Sequence, residues 1–123
     1  MLSIFKITLT IAGLLLLVVA AAPLVQFYEN MNNINIYYNI TNNSVIITLH
    51  YGATPGLTDY RFAVLSNGRV LNQTSGASLS PDTNITLTVP LNAIPANSTL
   101  EYELEGKIAG LYYIRFYVHG GGG

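Results

Sequence analysis

Three glutamates, two histidines and five asparagine sequons are the residues of this 123-residue chain whose types and spacing bear on chemistry. Glu101, Glu103 and Glu105 alternate with Tyr102 and Leu104. In an extended strand they would share one face at intervals of about 6.6 Å. Carboxylates so spaced suit glycoside hydrolysis or a weak cation site, and the simpler reading is a charged face turned to water. If the chain reverses across Gly106 to Gly110, Arg115 falls opposite Glu101 and forms a cross-strand ion pair. His50 and His119 take outward positions on their strands, where a solvated histidine is the ordinary case. No nucleophile motif or glycine-rich phosphate loop accompanies them, and the tail Gly120 to Gly123 lacks the strand-to-helix context of such a loop. With no cysteine, neither a disulfide nor a thiolate metal site can form. The expectation is a protein without catalytic residues, cofactor or metal.

The sequons carry more information. Asn39-Ile40-Thr41, Asn42-Asn43-Ser44, Asn72-Gln73-Thr74, Asn84-Ile85-Thr86 and Asn97-Ser98-Thr99 all match the acceptor pattern for N-linked glycans. The content of asparagine, serine and threonine gives about two such matches by chance placement. The excess points to an exported domain with covalent glycans. Asn39, Asn42, Asn72 and Asn97 fall at turns or strand ends, and Asn84 leads a strand on its outward face.

The elements that must carry these residues divide the chain in two. Between Lys6 and Glu29 there is no charged side chain, and Leu14, Leu15, Leu16, Leu17, Val18 and Val19 make a helix that is apolar on every side. Its uncharged length is enough to cross the ~30 Å hydrocarbon core of a bilayer. It reads as a retained anchor or assembly helix rather than a removed signal peptide. Lys6, the one basic residue near it, leaves the amino terminus cytoplasmic and sends the rest outward. Pro23 lacks the N–H that would bond the Val19 carbonyl, so a kink is expected near it. Phe27 and Tyr28 read either as an interfacial pair or as packing between helix and domain.

After Asn33 the apolar period drops to two, the mark of strands half buried in a sheet. Seven short strands follow, with Asn67-Gly68 as the clearest hairpin signal and with residues 74 to 83 and 90 to 98 reading as surface loops. The fold class expected is α+β: a hydrophobic helix over residues 1–30 and a seven-stranded, immunoglobulin-like sandwich over residues 31–123. Half of the residues are hydrophobic and only 9% are charged, with five basic against six acidic. Such a surface gathers no nucleic-acid backbone.

This layout resembles the archaeal type IV pilins, in which an amino-terminal hydrophobic helix leads at once into a compact β-rich head poor in charge and rich in sequons. The local match is Gly13 to Pro23, an aliphatic run with a glycine and a proline similar to the mature pilin helix. Phe5 and Lys6 stand near where bacterial pilins carry an acidic residue, which argues against a bacterial assignment. The resemblance implies a homopolymer: a filament whose core is the bundled helices and whose shell is the glycosylated heads, extracellular, used for adhesion, and held in the membrane before assembly. The competing expectations are a single-helix anchored accessory subunit of a membrane or cell-envelope complex and, less favoured, an anchored glycan hydrolase using two of the glutamates.

Overall fold

A computed structural model describes residues 2–118, with the side chains of residues 2–9 and of Leu17 outside the description. His119 and the glycines after it lie beyond the described residues. Helix α1 spans Leu2–Asn30 and continues through Pro23. Its leucines and alanines favour a helix, and its apolar side chains are spread around the whole axis. It ends where asparagines begin, and the Asn30 side-chain amide donates to the Gln26 carbonyl at 2.7 Å, satisfying one carbonyl that the last turn leaves open. A short 3-10 turn, Met31–Asn33, then delivers the chain into extended backbone at Ile34.

Seven strands follow: β1 Ile34–Ile40, β2 Ser44–Tyr51, β3 Leu57–Ser66, β4 Arg69–Leu79, β5 Thr83–Pro90, β6 Leu100–Ile108 and β7 Tyr112–Val118. They form two antiparallel sheets, one of order β1-β2-β5 and one of order β4-β3-β6-β7. Inward rows from both sheets meet in one core that includes Ile36, Ile47, Leu49, Phe62, Val64, Val89 and Leu104. Tyr51 is buried among them, and its hydroxyl donates to the Pro55 carbonyl at 2.7 Å. The protein is therefore α+β, one apolar helix followed by two facing antiparallel sheets.

The core reaches back into the helix. Phe27 is buried within it, edge to face with Phe116 of β7, and the Tyr112 hydroxyl donates to the Ala20 carbonyl at 2.5 Å. The last turns of α1 thus lie alongside β7 as part of the head. Of the two readings of Phe27 and Tyr28, Phe27 packs helix onto domain, whereas Tyr28 is 77% exposed.

Two strands run longer than the sequence suggests. Residues 74–79, expected as loop, are the second half of β4, paired with β3 through Thr58↔Ser78 and Tyr60↔Gly76. Small polar residues suffice on this edge strand. Gly76 is there because the Tyr60 ring lies over it: a Cβ would meet that ring at 2.7 Å. Likewise Gly106 belongs to β6, with Leu57 packed over it, and the reversal comes later, at Ala109-Gly110. Both of those residues take positive φ, and so do Asn67 and Gly68 in the β3–β4 turn, where the backbone is the one a two-residue hairpin requires.

Candidate functional site

The outward face of the larger sheet holds the densest polar cluster. Three strands build it: Arg61 on β3, Glu103 and Glu105 on β6, and Tyr113 and Arg115 on β7, all at positions whose alternation points away from the core. Moving the turn to Ala109-Gly110 shifts the β6–β7 register, so Arg115 stands opposite Glu105 and not opposite Glu101 as expected. Glu101 is instead paired in register with Leu65 and is exposed. Arg61 bridges both carboxylates, with Nη2 on Glu103 and Nε on Glu105 at 2.5 Å, and it also donates to Gln73 Oε1 at 2.8 Å. Arg115 reaches Glu103 from the other side at 3.0 Å, and the Tyr113 hydroxyl donates to Glu105.

Glu103 is 1% exposed, which corrects the expectation of three glutamates facing water. A carboxylate is tolerated there because two guanidinium groups occupy its oxygens, as burial of charge requires. Hydrogen bonds from Arg61 and then Tyr113 hold the Glu105 carboxyl below its usual range. The same bonds raise the Arg61 guanidinium and the Tyr113 phenol, each through Glu105. Chemically this is a saturated ion network. Each carboxylate oxygen of Glu103 and Glu105 already accepts a hydrogen bond, and no group of three or more His, Cys, Asp or Glu placed to hold a metal occurs among the described residues. Arg61, Gln73 and Tyr113 escaped the sequence reading. With so few charges in the chain, an outward Arg at strand alternation across from the glutamates was the available signal.

His50 lies opposite Asn84 in the β2–β5 register, its Nδ1 2.7 Å from Asn84 Oδ1. His119 is outside the described residues. Among the sequon asparagines, Asn39, Asn42, Asn84 and Asn97 are exposed. Asn39 and Asn42 flank the β1–β2 turn and Asn97 sits before β6 with φ 61°, all at the end of the sheets away from where α1 enters. Asn84 engages His50 through its oxygen. Asn72 differs: its Nδ2 donates to the Thr88 carbonyl at 2.9 Å, tying β4 to β5 with the atom a glycan would need.

A cleft of about 550 Å³ opens at that same far end, lined by Tyr38, Ile40, Val45, Leu100, Tyr102 and the hydroxyl residues Ser98 and Thr99. Among the described residues, the helix carries the longest run of exposed aliphatic side chains. Leu14, Leu15, Leu16, Val18 and Val19 are all exposed, Leu16 at 71% and Val19 at 69%, while Pro23 is half buried nearer the head. The described segment Thr10–Asn33 is long and apolar enough to cross a membrane. Compared with protein-family models, with curated proteins and with solved structures, the chain matches none.

Proposed function

We propose that this chain is the structural subunit of an extracellular type IV-like pilus, similar to the archaeal type IV pilins, with α1 bundled in the filament core and the head forming a glycosylated, adhesive shell. The observation that carries this reading is the helix, whose aliphatic side chains Ile11, Leu14, Leu15, Leu16, Val18 and Val19 stand exposed around its axis while its final turns are built into the head. Each large aliphatic residue left in water forgoes about 1.5–3 kcal/mol of burial, so such a rod needs a cover. Identical helices supply one for all faces at once. We read the head as an immunoglobulin-like sandwich, because a β1-β2-β5 sheet facing β4-β3-β6-β7 is the order such a Greek key takes when its fourth strand joins the sheet of the third. The glycans on Asn39, Asn42, Asn84 and Asn97 would coat its outside, and the membrane would hold α1 before assembly.

The second reading, an anchored accessory subunit with α1 permanently in lipid, draws on the same spanning length. Electron microscopy of material sheared from cells, with mass spectrometry of the filament band, separates the two. Filaments containing this chain are expected; a detergent-solubilised monomer or discrete membrane complex, with no fibre containing it, rejects the pilus.

A further inference from the structure

We infer that the tip of the β6–β7 hairpin, Ala109-Gly110-Leu111, is a lipid contact that seats the head in the headgroup layer before assembly. The inference rests on the reading above only in that α1 then occupies the bilayer.

Two contacts fix the geometry. Ala20 meets Tyr112 and, seven residues on, Phe27 meets Phe116, so α1 and β7 run side by side in the same direction. Passing backward from Tyr112 into Leu111 and Gly110 therefore travels the same way as passing down α1 from Ala20 toward its start. The hairpin tip protrudes along the membrane-bound half of the helix, to the level of Ala20 or beyond.

The length of free helix leaves no room for a spacer. From Ile7, the first residue after the charged flank Lys6, to Val19 the helix rises about 20 Å at ~1.5 Å per residue, short of the ~30 Å of hydrocarbon it has to cross. The lower end of the head must then lie at the bilayer surface, with the tip inside the headgroups.

The tip is made for that place. No charged residue occurs between Lys107 and Arg115, and Leu111 is 73% exposed although it ends a tightly closed turn, its N–H donating to the Ile108 carbonyl at 3.0 Å. A leucine held out on a rigid turn contributes nothing to the core of the head. At a bilayer surface it buries its side chain beside the apolar helix to which it is already fixed.

The chain has no cysteine, so single-cysteine probes are clean. Full-length protein carrying a polarity-sensitive fluorophore at Leu111→Cys, Leu16→Cys or Asn67→Cys is reconstituted into phosphatidylcholine vesicles in which part of the lipid is brominated. Asn67, in the turn at the opposite end of the sheets, is the water reference. The Leu111 probe is expected to emit at shorter wavelength than the Asn67 probe and to be quenched several-fold more strongly. If Leu111 matches Asn67 while Leu16 is quenched, the hairpin contact is wrong and the membrane helix stands. If Leu16 too is unquenched, the helix is not in lipid and both readings fall.

Discussion

Phe27 of α1 and Phe116 of β7 meet edge to face, with ring centroids 5.9 Å apart and planes at 68°. Such a pair adds about 0.5–1.5 kcal/mol beyond the area it buries. Phe27→Ala is expected to destabilise the head by about 3 kcal/mol, the range for deleting a buried phenylalanine. A chain beginning at Asn30 should accordingly unfold at lower urea than one beginning at Ala20. Equal midpoints by circular dichroism would mean that the helix contributes nothing to the head.

Arg61 is the bridge between the two inner glutamates, so removing it strands charge. Arg61→Met leaves buried Glu103 with Arg115 alone and is expected to cost about 3 kcal/mol, as loss of one partner of a buried ion pair does. The double variant Arg61→Met, Glu103→Leu should recover much of that loss. A double-mutant cycle in urea measures the coupling, and a value near zero would show the pair to be energetically idle.

Acid should weaken the head through Glu105. Its pKa in the folded state is depressed below the unfolded value of about 4.3, so the folded form binds protons less readily. The stabilisation is complete above that unfolded value and is lost as pH falls through it toward the folded one. Melting between pH 7 and pH 3 should show a shallow decline that Glu105→Gln flattens. An unchanged slope in the variant would count against the assignment. At the other extreme, burial raises the Tyr51 phenol, so stability present below pH ~10 is lost as pH rises above it.

Site occupancy should differ among the sequons. Asn84 is exposed and meets His50 through its Oδ1, whereas Asn72 commits its Nδ2 to Thr88. Intact glycopeptide mass spectrometry of native protein is expected to find Asn84 more fully occupied than Asn72. The opposite ranking would indicate that attachment is decided before the β4–β5 contact forms.

Leu16→Asp puts a carboxylate on the exposed helix among apolar neighbours, lipid or protein, at a cost of several kcal/mol. Filaments should disappear from micrographs while the circular dichroism of the head is unchanged. Filaments persisting in the variant would make contacts between heads, and not α1, the basis of the polymer.

What the sequence made legible was whatever depends on period and on strong turn chemistry. The uncharged run marked α1, and Asn67-Gly68 marked its hairpin, because each signal is local. Gly106 misled for the opposite reason: it reads as a turn residue, but its place in β6 is set by Leu57 on another strand. That one misplacement moved Arg115 from Glu105 to Glu101. Alternation correctly put Glu103 on the outer face but said nothing of its burial, which arises from two arginines on flanking strands. Phe27 likewise sits in a run where nothing distinguishes a residue that docks from one that stays free.

The joint between α1 and the sheets also sets how tension would pass through the molecule. A pull along the helix enters β1 at Ile34, at the end where that strand meets Tyr51, and is directed along the strand. The antiparallel ladder from Ile34↔Tyr51 to Ile40↔Val45 is then loaded in shear, so its bonds must fail together and cannot be unzipped one by one. The Phe27 and Tyr112 contacts divert part of the same force into β7, giving a subunit pulled from its helix two parallel routes of mechanical resistance.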